Sequence, residues 1–149
     1  MNRDFAEMLD ALSAAGADYL IVGAHALAAH GHPRATGDLD IWIRATPGNA
    51  ARTWKALVSF GAPLGELKLD DLSSPGTVFQ IGIVPTRIDL LTELTGLDFD
   101  GAWERKESFE VAGRALPFLS RQDLIRNKSA VGRPRDLADI DDLVRGDRK

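Results

Sequence analysis

Asp38 and Asp40 stand two residues apart in Asp38-Leu39-Asp40-Ile41-Trp42-Ile43. The alternation has period 2, which predicts a strand with both carboxylates on one face and Leu39, Ile41 and Ile43 on the other, toward a core. Two neighbouring acids repel each other unless a cation lies between them. Mg²⁺ favours hard oxygen ligands and is commonly held by one or two carboxylates together with phosphate oxygens. A third acid, Asp89, interrupts the otherwise apolar run Ile88-Asp89-Leu90-Leu91 and shares a face by parity with Arg87 and Leu91. An acid in such a strand either pairs with a nearby arginine or joins a polar site. Alone, Asp-x-Asp is a weak signal, since most acids are simply solvated.

Two further features concern phosphate. Gly23-Ala24 follows the apolar run Tyr19-Leu20-Ile21-Val22 and opens a small-residue, helix-prone stretch through Ala29. Backbone N–H groups at such a turn can cradle phosphate, although an ordinary strand-to-helix turn has the same composition. Lys128 lies four residues after Leu124 and three after Ile125, on their helical face. A lysine so placed either snorkels to water or reaches a buried anion. His25, His30 and His32 lack a fourth ligand and helical spacing for zinc; His25 is read as lining the phosphate turn. Trp42, Trp54 and Trp103 are read as packing residues, with Trp42 on the face of Asp38 and Asp40, where it can meet a base. No Gly-x-x-x-x-Gly-Lys-Ser/Thr is present, so a P-loop is excluded.

The elements that must position these residues follow from periodicity and punctuation. A first helix carries Phe5, Met8, Leu9 and Leu12, with Asp4 and Glu7 as its capping box and Gly16 after its end. Thr46 and Pro47 open another, striped by Trp54, Leu57 and Val58 and closed by Gly61. Thr77 to Val84 and Arg87 to Leu91 read as strands, and the short link Pro85-Thr86 predicts antiparallel neighbours. A short helix over Asp98 to Arg105 precedes a hairpin, Ser108 to Val111 and Arg114 to Phe118, about Gly113. Ser120 and Asp123 cap a helix to about Ala130. A last helix follows Pro134 with Leu137, Ile140 and Val144 on its stripe, and Asp136 and Asp139 are read as helix-start and solvated acids.

The 149 residues suit a single domain, with a core over about 18–92 and a C-terminal helical extension over about 120–145. The apolar share of 44% and charged share of 27% are those of a globular chain. There are no cysteines, which rules out disulfides and thiolate zinc and fits a cytoplasmic protein. No signal peptide or membrane-length apolar run is read. The net charge of −4 argues against a non-specific nucleic-acid binder, yet Arg121, Arg126, Lys128, Arg133 and Arg135 crowd one stretch that can face phosphate. The pattern is α+β: a small mixed β-sheet flanked by helices, with C-terminal helices.

Val22-Gly23-Ala24, Arg34-Ala35-Thr36-Gly37-Asp38-Leu39-Asp40 and Ile88-Asp89-Leu90 together resemble the polymerase-β-like nucleotidyltransferase superfamily. That family has a glycine turn, an Arg-x-Ser/Thr-x-Asp-x-Asp element and a third acid on a later strand. The resemblance is strongest to abortive-infection type nucleotidyltransferases of bacterial toxin–antitoxin systems. It covers Tyr19 to Leu91 and extends more loosely to Asn127-Lys128 and Gly132-Arg133-Pro134-Arg135-Asp136-Leu137-Ala138-Asp139. The turn departs from the family's Gly-Ser or Gly-Gly at Ala24, which removes a side-chain hydroxyl and leaves the backbone donors.

The resemblance implies the nucleotidyltransferase fold, with Asp38, Asp40 and Asp89 as catalytic metal ligands for two Mg²⁺ ions. It implies a nucleoside triphosphate, ATP among the candidates, held by Gly23, Ala24, Arg34, Thr36 and Lys128. The expected reaction moves a nucleoside monophosphate to a hydroxyl on an RNA end, a protein or a small molecule and releases pyrophosphate. A toxin or antitoxin partner and a homodimer are the expected associations, with no membrane. Two other readings stand beside it: a non-catalytic nucleotide-binding or antitoxin module on the same fold, and a metal-dependent phosphohydrolase.

Overall fold

Phe5, Met8, Leu9 and Leu12 fall on one face of helix α1 (Arg3–Ala14) and are all buried. Its cap differs from the expected Asp4–Glu7 box. Asn2 accepts from the Asp4 and Phe5 amides, and Glu7 instead takes the Arg3 guanidinium at 2.9 Å. Asn serves because its short side chain reaches the free amides of the first turn. The computed structural model describes residues 1–34 and 36–146. Ala35 and the last residues of the chain lie outside the described residues.

Strand β1 (Tyr19–Val22) is buried along its whole length and passes at Gly23 directly into helix α2 (Gly23–Ala29). Strand β2 (Asp38–Ile43) follows, then helix α3 (Pro47–Phe60). Thr46 caps α3 by accepting from the Asn49 amide, and Gly61 ends it in the left-handed region at φ 88°. The stripe α3 buries is Asn49, Ala50, Thr53, Ala56 and Leu57, whereas Val58, expected inside, is 58% exposed. Asn49 is buried because it is saturated: its amide donates to the Asp18 and Arg44 carbonyls and accepts from the Asp18 amide.

A 3₁₀ turn over Leu69–Ser73 leads to strand β3 (Val78–Ile81), which is shorter than the run Thr77 to Val84 suggested. Gly82 at φ 76° and the 83–86 turn interrupt it. Strand β4 (Arg87–Leu91) returns antiparallel to β3, as the short link required. Helix α4 (Phe99–Glu104), capped by Asp98, precedes the hairpin of β5 (Glu107–Val111) and β6 (Arg114–Phe118). Helices α5 (Arg121–Val131) and α6 (Pro134–Gly146) complete the chain.

The six strands form one mixed sheet in the order β3-β4-β2-β1-β6-β5. β2 lies inside it, antiparallel to β1 and parallel to β4. Leu39, Ile41 and Ile43 of β2 are at most 1% exposed and join α1, β1 and Leu57 of α3 in one apolar core. Each such side chain stabilises the fold by about 1.5–3 kcal/mol. No helix among the described residues is long and apolar enough to cross a membrane.

Helix α6 departs from the expected stripe. Leu137 is 56% exposed, while Asp136, Asp139 and Leu143 are buried at 1%, 3% and 0%. The two acids are therefore not solvated, and the reason lies in their partners at the candidate site.

Candidate active site

Parallel pairing of β2 with β4 sets Asp40 opposite Asp89 and Asp38 opposite Arg87. Three carboxylates thus meet on one face of the sheet, each offering an oxygen within 4.8 Å of the others. Among the described residues this is the one acidic group spaced to hold a metal ion. On the other flank of β2, Val22 pairs with Asp40, so the turn after β1 abuts the same carboxylate. Gly23 has φ 66°, and a Cβ there would collide with Asp40 Oδ2. Both the backbone conformation and the space demand glycine.

The three carboxyls have different environments. Burial drives Asp40 upward, and the charges of Asp38 and Asp89 add to it, so its pKa rises to about 7. Burial also raises Asp89, against the opposing pull of Arg87. Asp38 feels burial too, but hydrogen bonds from Thr36 and Arg87 outweigh it and hold the group below the usual carboxylate range. Thr36 Oγ1 donates to Asp38 Oδ1 at 2.9 Å. Arg87 donates from Nη2 to Asp38 Oδ2 at 2.8 Å and from Nε to Asp89 Oδ1 at 3.0 Å. The loop that delivers Asp38 is itself tightly seated, since a Cβ on Gly37 would run into the side chain of Val84 in the β3–β4 turn.

A cavity of about 390 Å³ opens beside Asp38 and Asp40. Gly23, Ala24 and Thr36 line it on one side, and Arg34, Lys128, Arg133 and Arg135 supply positive charge. Arg34 and Lys128 are not free. Asp139 accepts from Arg34 Nη1 at 3.1 Å, and its Oδ1 receives Arg34 Nη2. Lys128 Nζ donates to Asp139 Oδ2 at 2.9 Å and lies 3.7 Å from Asp136 Oδ1. Arg133 Nε donates to Asp136 Oδ2 at 2.7 Å. Burial alone would raise Asp139, yet Arg34 and Lys128 hold it below the usual range, and Arg133 does the same for Asp136.

The structure therefore brings Asp38, Asp40 and Asp89 together, and it gathers Gly23, Ala24, Arg34, Thr36 and Lys128 around the adjoining cavity. Lys128 is the lysine that reaches a buried anion rather than water. His25 does not line the cavity; its ring meets Phe5 edge-on at 5.5 Å, and burial lowers its pKa. Trp42 is 1% exposed and packs edge-on against Phe99 at 5.1 Å, so it serves the core and not a base. Arg87 was visible by parity beside Asp89. Its bond to Asp38 depends on the parallel β2–β4 pairing, which strand patterns alone do not specify.

No family model and no curated protein matches the chain. Among solved structures, the chain is similar to a crystal structure from Thermotoga maritima described as a "putative nucleotidyltransferase", with a TM-score of 0.65. The two are 15% identical over 96% of this chain and 91% of that one. The similarity establishes the nucleotidyltransferase fold: a mixed sheet flanked by helices, with C-terminal helices.

Proposed function

We propose that this protein is a Mg²⁺-dependent nucleotidyltransferase that transfers a nucleoside monophosphate from a nucleoside triphosphate to a hydroxyl acceptor. The observation that carries this reading is the convergence of Asp38, Asp40 and Asp89, oxygens within 4.8 Å, at the edge of a cavity with cationic walls. The donors fit Mg²⁺: all are hard oxygens, and three carboxylates meet with one guanidinium between two of them. Asp38, Asp40 and Asp89 would hold the ions, two by family resemblance. Bound there, Mg²⁺ supplies neutralising charge at the α-phosphate and acidifies the attacking hydroxyl.

The protein's own groups would do the rest. Gly23, lacking a side chain, lets the turn backbone approach the phosphates, and Arg34 and Lys128 offset their charge while Asp139 keeps both cations in place. The acceptor oxygen forms a bond to the α-phosphorus as the bond to the bridging oxygen of pyrophosphate breaks. Asp89 accepts the hydroxyl proton, and pyrophosphate leaves with its charge. The acceptor belongs to the class of RNA ends, protein side chains or small molecules. Lys128 and the Asp136-x-x-Asp139 pair support kinship with the abortive-infection type.

Calorimetric titration of the four nucleoside triphosphates tests the reading. At least one should bind with Mg²⁺, and binding should vanish with chelator and in Asp38→Asn/Asp40→Asn. Absence of Mg²⁺-dependent binding by all four overturns it.

A further inference from the structure

Arg87 occupies an unusual place for a cation. One guanidinium spans two of the three carboxylates, donating to Asp38 at 2.8 Å and to Asp89 at 3.0 and 3.3 Å. Among the described residues, its ion-pair partners are these two acids. Its side chain retains 31% exposure, so a path to solvent is open. Arg34 contrasts with it, because that guanidinium is tied to Asp139 and not to the three carboxylates. Arg87 thus does what a divalent ion would do there: it sits between acids that repel each other.

We propose that Arg87 is the resident counter-cation of the carboxylate site and sets its affinity for divalent metal by competing for Asp38 and Asp89. The proposal rests on the metal site of the nucleotidyltransferase reading and adds a residue to it. With Arg87 in place, three carboxylates carry one compensating charge. A metal must displace the guanidinium from the oxygens it needs, or share them with a like charge a few ångströms away. The fork matters as well as the charge. A guanidinium reaches two carboxylates in fixed directions, which an ammonium cannot do.

Mn²⁺ binding followed by electron paramagnetic resonance at low ionic strength reads the competition directly, without nucleotide or turnover. Arg87→Met should bind Mn²⁺ about tenfold or more tightly than the wild type. Arg87→Lys, which keeps the charge and loses the fork, should fall between them. A gain in affinity is a result that damage to the fold would not give. Should Arg87→Met fail to fold, Arg87→Lys decides the matter against the wild type. Equal or weaker Mn²⁺ binding by the variants, with Asp38-dependent binding in the wild type, overturns the role of Arg87 alone. Wild-type Mn²⁺ binding that is absent, or indifferent to Asp38→Asn, overturns the metal site and this proposal with it.

Discussion

Asp40 is held between two demands. Its carboxyl is partly buried beside Asp38 and Asp89, and without metal its pKa stands at about 7. A folded-state pKa above the unfolded value means that the folded chain binds the proton more strongly. Stability contributed by that proton is full below about pH 4 and is lost as pH rises toward about 7. Asp40→Asn removes the loss. The metal-free variant should exceed the wild type in stability by about 1–3 kcal/mol near pH 8, after allowance for solvent screening, and match it near pH 4. Adding Mg²⁺ should raise the wild-type melting temperature and leave the variant unmoved. Thermal melts at the two pH values check this, and a variant less stable than wild type at the higher pH contradicts it.

At the scale of elements, α6 shows where sequence pattern stops short. A search for apolar residues at helical spacing selects Leu137, Ile140 and Val144, yet the buried face is Asp136, Asp139 and Leu143. Hydrophobicity stands in for burial only while the neighbours are apolar. Here the neighbours are Arg34, Lys128 and Arg133, which arrive from other segments or the preceding turn, and periodicity contains no sign of them. The triad was legible for the opposite reason. Period 2 fixes which residues of β2 and β4 share a face, and the acids interrupt apolar runs. The buried ions give α6 a testable weakness. Lys128→Met removes one of the two cations on Asp139, leaving Arg34, and should cost about 1–3 kcal/mol. Lys128→Met/Asp139→Asn should recover part of that loss in urea denaturation. Because Asp136 and Asp139 are held below the usual carboxylate range, their stabilisation is complete above about pH 4 and fades as acid carries the pH through their folded values. With Asp139→Asn measured alongside, a double-variant loss equal to the sum of the two single losses would show that the ion pair is uncoupled.

For the molecule as a whole, sheet order ranks the strands. β2 is bonded on both sides by β1 and β4, whereas β3 and β5 are the outer strands. Most side chains of β3 and all of β5 are at least partly exposed, while β1 is wholly buried. Native-state hydrogen exchange should find the slowest amides in β1 and β2 and faster ones in β3 and β5. Asp38 and Asp40 thus stand on one of the strands least given to opening and Asp89 on β4, itself bonded on both sides, which suits a constellation that must be ready before its ligand arrives. Outer-strand amides as slow as those of β2 would contradict this ranking. The general α+β order was readable from the chain. The neighbour relations β2–β4 and β1–β6 were not, because parallel partners are brought together by long connections rather than by a turn.

The contact between Gly37 and Val84 has a consequence for heredity. Val84 is 58% exposed and would pass for a freely drifting surface position. Its side chain nonetheless fills the space where a Cβ of residue 37 would stand, one residue before the first metal-ligand candidate. In a lineage descending from this sequence, a larger residue at 37 would be admitted only after a smaller one had arisen at 84. The order in which those two changes occurred would then be recorded in which intermediates kept a working site.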